Sequence, residues 1–306
     1  MYVNIFFIYL EPAEFSSSQG RIVSGWEADE GQFPYQLSLR MVNRNGAVSA
    51  CGATLIHHLW GLTAAHCHSR RVTLVIRAGA TDVKTPRLIF ETTEFYNHPE
   101  FIELSPFVQP NDIAVIKFPM HIEYTDFIQP LRLQSSYHKN KNYEGVVMTA
   151  FGWGRNWTDG VSPEVMNWVY LTGVSNEACK EDYGATSIMV DSTICARYYN
   201  VTSQSACQGD SGGGLTVLDI DGELSQVGIA SFVHRSGCHT PIPAGFIRPG
   251  HYHDWLTEVT GIDFDWKTLF YISVPRATTV AAEINNENLT YLTAVCILLK
   301  SFLNTP

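Results

Sequence analysis

At 306 residues, 45 % hydrophobic and 12 % aromatic, the chain is long enough for one large β domain or two ordinary ones. It can bury a real core, which argues against disorder and against coiled coil. Charged residues make up only 16 %, and Lys+Arg 20 against Asp+Glu 30 leaves a formal charge of −10 with His neutral, so no nucleic-acid partner is expected.

From the amino end, residues 3–10 form a short apolar run interrupted by Asn4 and followed by Pro12-Ala13. The run reads as the hydrophobic part of a secretory signal, with cleavage near Ala13 or Ser18, although no Lys or Arg precedes it. Beyond it, β-branched and aromatic runs bounded by Gly, Pro, Asn or Asp predict strands at residues 36–40, 72–78, 88–96, 113–118, 145–152, 165–172, 214–220 and 226–232. One helix is predicted, residues 252–259, where Trp255, Leu256 and Val259 keep a helical spacing. Gly 23 and Pro 14, scattered between short apolar runs, point to an all-β chain with frequent turns. Residues 263–306 read as a carboxyl-terminal extension. Within it, Tyr291 to Leu303 is apolar apart from Thr293, Lys300 and Ser301, too short for the ~18–20 residues that cross a bilayer. It is expected to be a loose extension. A sharper reading makes it a lipid-anchor signal behind Asn285, Asn286 and Asn288.

Seven cysteines stand at positions 51, 67, 179, 195, 207, 238 and 296. No Cys-x-x-Cys pair occurs among them, which removes the zinc-ribbon and thioredoxin readings. Six in the folded-looking region and Cys296 in the tail suit a secreted protein with three disulfides, whose connectivity sequence alone leaves open. Asn156, Asn200 and Asn288 each begin an Asn-x-Thr triplet and are glycosylation candidates.

Three segments carry the residue types of nucleophilic catalysis. Thr63-Ala64-Ala65-His66-Cys67 offers an imidazole beside a cysteine, and Asn111-Asp112-Ile113-Ala114-Val115 sets a carboxylate at the mouth of an apolar strand. Gly209-Asp210-Ser211-Gly212-Gly213-Gly214 exposes a serine in a loop where backbone N–H groups converge without Cβ obstruction. Singly each has an ordinary explanation: a surface histidine, a turn-ending aspartate, a glycine loop. Together they supply a base, its orienting carboxylate and a nucleophile.

On these segments, with Arg21 before Ile22-Val23-Ser24-Gly25, Gly152-Trp153-Gly154 and Gly228-Ile229-Ala230-Ser231-Phe232, the chain resembles the chymotrypsin-like serine proteases from about Ile22 to Ile262. The resemblance implies two antiparallel six-stranded β-barrels with a carboxyl-terminal helix: barrel one over about 22–128, barrel two over about 129–250, the helix at about 251–260. It implies Ser211 as nucleophile, His66 as base then acid, and Asp112 as the group that holds the imidazole tautomer, the roles of this family's own catalytic triad. The backbone N–H groups of Gly209 and Ser211 would form the oxyanion hole. Family pairing implies disulfides Cys51–Cys67, Cys179–Cys195 and Cys207–Cys238, leaving Cys296 over. Cleavage after Arg21 would free an amine on Ile22 to pair with Asp210.

The resemblance also locates a specificity pocket. Ser205 and Ala206 fall at its floor, Ser231 on one wall, and Val233 and Ala244 where the family often has glycine. No acid stands at the floor, so the pocket reads as neutral and shallow, an elastase-like pattern favouring small or aliphatic residues. The alternatives are a chymotrypsin-like preference for aromatic residues or Leu, and a non-catalytic homologue serving as a binding module. Gly214 stands where Pro is usual and Phe232 where Trp is usual, and Pro106 and Pro110 lie in a loop expected to restrict the cleft. No acidic loop near residues 79–91 suits Ca²⁺. The expected partners are protein or peptide substrates, an activating trypsin-like protease and protein protease inhibitors, with no cofactor and no metal. The expected setting is secreted and digestive rather than a narrow cascade.

Overall fold

The computed structural model describes residues 24–105, 107–184 and 187–267. Arg21, Ile22, the signal region, Pro106, and the tail with Asn288 and Cys296 lie outside the described residues.

In the first sheet, strands run in the order Leu88–Thr92, Arg71–Ala78, Gln36–Asn43, Val48–His57, Trp60–Thr63, Ala114–Lys117 and Phe95–Asn97. Its two ends are the halves of one predicted strand, residues 88–96. The Leu88–Thr92 half pairs with Arg71–Ala78 and the Phe95–Asn97 half with Ala114–Lys117, so the split strand closes six strands into a barrel. At the break the Thr92 hydroxyl donates to the Lys117 carbonyl at 2.9 Å and accepts from the Glu94 N–H at 3.0 Å. A side chain thus takes over where the backbone ladder stops.

The second sheet runs Asn167–Val174, Val147–Gly152, Gly214–Leu218, Leu224–Phe232, Ala244–Ile247 and Thr193–Tyr198, and the last strand pairs back onto the first. Six strands again close on themselves. Two short strands are appended: Trp26–Glu27 pairs with Trp168 and Asn167, and Arg132–Leu133 runs parallel to the strand at Ser225. The earliest described strand therefore belongs to the second barrel, although sequence order groups it with the first.

Alternation explains the cores. Leu37, Leu39 and Met41 of one strand face Ala53, Leu55, Leu62, Leu74 and Ile76 inside the first barrel. Val169, Leu171, Ile194, Leu215, Val227 and Phe246 fill the second. Phe33 stacks on Phe151 at 4.6 Å between ring centroids, within a third cluster that joins residues of both halves.

The carboxyl-terminal helix is His253–Thr260, preceded by the 3₁₀ turn Pro249–His251. Tyr252, Trp255 and Leu256 bury against the first barrel's core, so the chain's end covers its beginning. A second helix, Asn176–Tyr183, falls outside the single one predicted. The Ser175 hydroxyl accepts from the Ala178 N–H, and Gly184 ends the helix at φ +73°, a left-handed stop. Among the described residues, no helix is long and apolar enough to cross a membrane.

Candidate active site

Strand pairing brings His66 and Asp112 together. Thr63 is the register partner of Ala114 in adjacent antiparallel strands. His66, three residues after Thr63, and Asp112, two before Ala114, therefore leave the same end of the pair. The one-turn helix Ala65–His68 turns His66 back, and the Cys51–Cys67 disulfide ties that helix to the neighbouring strand Val48–His57. Asn111, just before the aspartate, is held at φ +60°, with its amide donating to Glu100 at 2.9 Å and its oxygen accepting from the Tyr252 hydroxyl at 2.9 Å.

Asp112 is buried and accepts on both oxygens. Oδ1 takes the His66 backbone N–H at 2.8 Å, and Oδ2 takes His66 Nδ1 at 2.7 Å and the Ser231 hydroxyl at 2.5 Å. A carboxylate only accepts, so the proton sits on Nδ1 and a neutral His66 keeps its lone pair on Nε2. Burial opposes charge on both groups, but their attraction and hydrogen bonds outweigh it. His66 ends above its ordinary pKa and Asp112 below its own. His68, two residues on, is fully buried against the Phe95 ring, and burial pushes its pKa down to about 3. Neither of its ring nitrogens has a partner among the described residues.

Ser211 sits in the loop between Cys207 and strand Gly214–Leu218. Its carbonyl accepts from Gly52 N–H of the first barrel at 2.7 Å, and Gly212 N–H donates to Ala230 of the second at 2.7 Å. Gly212 has φ +79°, and a Cβ there would strike Thr63 Oγ1, so only glycine lets this loop lie so close to the His66 segment. Among the described residues the N–H groups of Gly209 and Ser211 donate to nothing, which leaves two neighbouring donors free beside the serine. His66 Nε2 and Ser211 Oγ are not hydrogen bonded in this structure. Such contacts are often long before substrate arrives. Cys51 and Cys67 lie near His66 but are joined to each other, so they offer no thiolate to a metal.

Next to Ser211 opens a cavity of about 250 Å³, lined by Ala206, Ser231, Val233 and Ala244 and also by Val108, Gln208, Phe232 and Phe246. No charged side chain lines it. Ser205, read as part of the floor, is buried and does not line the cavity. Val233 packs against the Cys207–Cys238 disulfide, which keeps it on the cavity wall. Phe232 is buried edge-on to Tyr183, at 5.4 Å between centroids. A second groove of about 770 Å³ shares Val108, Phe232 and Val233 and adds Phe107, Tyr183 and Ile188.

Asp210 is buried, with Oδ1 accepting from Gly154 N–H at 2.8 Å and Oδ2 from Cys207 N–H at 2.9 Å. Any Cβ at Gly154 would strike this carboxylate, so the Gly152-Trp153-Gly154 segment makes the room that Asp210 occupies. Burial raises its pKa to about 6 against the pull of those two N–H groups, and no cation pairs with it among the described residues. The Cys179–Cys195 disulfide pins helix Asn176–Tyr183 to strand Thr193–Tyr198. Sequence reasoning missed Val108, Gln208 and Phe246. Phe246 could have been found two residues past Ala244 in the same strand. Val108 carries no local signal: it is an exposed residue in a loop whose ends are joined by the Gln109 side chain bonding the Ile102 backbone.

A protein-family model described as Trypsin matches residues 22–256. The chain is 36 % identical over 250 residues to a protein named collagenase from Hypoderma lineatum, covering 82 % of this chain and 91 % of that one. It is 30 % identical over 253 residues to chymotrypsin-like elastase family member 1 of Rattus norvegicus, covering 80 % and 92 %. Serine protease 1 of Drosophila melanogaster is 30 % identical over 258 residues, covering 83 % and 91 %. The solved structure of HL collagenase superposes with a TM-score of 0.70 at 35 % identity, covering 79 % of this chain and 99 % of that one.

Proposed function

The chain belongs to the trypsin family and is a serine endopeptidase. From that premise we propose that it is a secreted zymogen, opened after Arg21, that cleaves peptide bonds through an acyl-enzyme on Ser211 and prefers small or aliphatic residues before the scissile bond. In this reading Ser211 Oγ attacks the carbonyl and His66 Nε2 takes its proton, later returning it to the leaving amine. Asp112 fixes the tautomer and steadies the imidazolium. The Gly209 and Ser211 N–H groups receive the oxyanion, a contact typically worth ~3–4 kcal/mol per donor.

The observation that carries the reading is a convergence. An imidazole oriented on a buried carboxylate, a serine flanked by two free N–H donors, and an uncharged cavity beside that serine are linked by Ser231, whose hydroxyl bonds the carboxylate and which lines the cavity. The buried Asp210 supports the zymogen step, since a carboxylate with its pKa raised to about 6 gains from a cation placed beside it. Val233 and Ala244 support the preference for small residues, because each puts carbon into a wall of the cavity. Relatives bear the names collagenase and elastase family member, so collagen and elastin are substrates to assay first. Treatment with a fluorophosphonate before and after trypsin cleavage tests the reading. The expected result is a single modified residue, Ser211, labelled at least tenfold faster once the chain begins at Ile22. Labelling elsewhere, or equal labelling of uncut chain, would contradict it.

A further inference from the structure

We propose that Gln204 is a positioning residue for activation, its side-chain amide clamping the backbone at Ser24 and so setting where the amino terminus created at Ile22 comes to rest. This inference rests on the proposed cleavage after Arg21.

Gln204 is 1 % exposed, unusual for an uncharged polar side chain next to a surface turn, and every polar atom of its amide is used. Nε2 donates to the Ser24 carbonyl at 3.3 Å, while Oε1 accepts the N–H groups of Asn200 at 3.2 Å and Val201 at 3.3 Å. Its own N–H closes the same turn on the Val201 carbonyl at 2.8 Å. Ser203 adds a hydroxyl contact to the Ser24 hydroxyl at 2.7 Å. Ser24 has φ +57°, so the chain bends there, away from its next anchors, the Trp26–Trp168 pairing and the Ala28 N–H on Met166. On the other side of Gln204 the chain runs straight into Ala206 and Cys207 of the cavity lining, and then to Asp210.

The consequence is geometric. An extended chain spans at most ~3.3–3.6 Å per residue, so an Ile22 amine pivoting at a fixed Ser24 explores a radius of about 7 Å. With Ser24 released the pivot retreats to Trp26 and the radius doubles to about 14 Å. The searched volume then grows up to about eightfold, and the amine's effective concentration at Asp210 falls by the same factor. Pairing favours the charged amine and holds its pKa up. A weaker pairing therefore lowers the upper pH limit of activity, by up to about 0.9 pH unit for an eightfold loss.

Gln204→Glu and Gln204→Met separate the clamp from the turn. Glu keeps the acceptor for Asn200 and Val201 but offers Ser24 no donor, whereas Met removes both. Each variant is cleaved after Arg21, checked by amino-terminal sequencing, and then assayed across pH and for the rate at which cyanate modifies the Ile22 amine. The expected result is cyanate modification up to about eightfold faster in both variants, with the upper pH limit lowered by up to about 0.9 unit. Should the Met variant fail to fold, Ser203→Ala at the exposed end of the clamp reads the same two quantities. Wild-type amine reactivity and pH limit in cleaved Gln204→Glu overturn the clamp, as does a shift confined to Met. A wild-type chain fully active before cleavage overturns the activation reading instead, and the clamp falls with it.

Discussion

Asp112 is the residue on which the site's electrostatics turn, since it accepts three hydrogen bonds and balances the His66 charge. His66 is held above 6.5, so the pairing favours the imidazolium. Catalysis needs the neutral ring, and activity should therefore rise with pH along a limb lying above 6.5. Asp112→Asn leaves the burial and removes the attraction, so the limb should move down. The kcat should fall by about 10⁴-fold, the size known for the same substitution in this family's own triad. Kinetic pH profiles of both proteins check the direction; an unmoved limb would separate Asp112 from His66. His68 acts with the opposite sign. Its folded pKa of about 3 lies below the ordinary 6.5, so its contribution to stability is complete above that value and is lost as pH falls toward 3. His68→Leu should flatten the fall of melting temperature between about pH 6.5 and 4. A slope as steep as wild type would contradict this. The segments around His66, Asp112 and Ser211 were legible because each combines rare types in one short run. The hydrogen bond from Ser231 to Asp112 was not, since it joins residues 119 apart in sequence.

At the scale of elements, the cavity is built by strand Ala244–Ile247, the end of strand Leu224–Phe232 and the loop before Gly214. Val233 and Ala244 both bring side chains to its wall, and nothing charged reaches it. Ala, Val or Leu peptides should be cut with higher kcat/KM than Phe peptides, and Lys or Arg peptides poorly, because burying their charge in a neutral slot is unfavourable. Replacing Val233 and Ala244 together by Gly should shift preference toward Phe. Each methylene discriminates by only ~1–3 kcal/mol, so the Leu–Val contrast should be modest. If wild type cuts Phe peptides tenfold better than matched Ala peptides, the small-residue reading is wrong. Strand propensity located eight runs, but strands Val48–His57, Trp60–Thr63, Thr193–Tyr198 and Ala244–Ile247 were passed over. Ala50, Cys51, Gly52 and Ala53 carry little β signal, and Val48–His57 is a strand because it pairs on both sides. Helix Asn176–Tyr183 buries only Cys179, so it shows almost no apolar stripe; Ser175 and Gly184 were its legible marks.

On the scale of the whole molecule, two closed six-stranded barrels each contribute part of the candidate site. His66 and Asp112 leave the first, and Ser211 with the cavity walls leaves the second. Closure removes the exposed sheet edges that open sheets must protect. The all-β class was legible in the Gly and Pro scattered between short apolar runs, and the two barrels only through the resemblance that the motifs carry. What could not be read was closure itself. The break at Thr92 that sends one predicted strand to both ends of a barrel depends on a side-chain contact with Lys117. Nor could sequence order show that Trp26–Glu27 crosses to the second barrel. The central claim is that Ser211 is the nucleophile, and the most direct measurement is kcat of Ser211→Ala against wild type, both cleaved after Arg21, on one peptide substrate. A fall of roughly 10⁴-fold or more, with KM little changed and a residual rate still above that of water, is the expected result. Peptide cleavage by the alanine variant at the wild-type rate would contradict it.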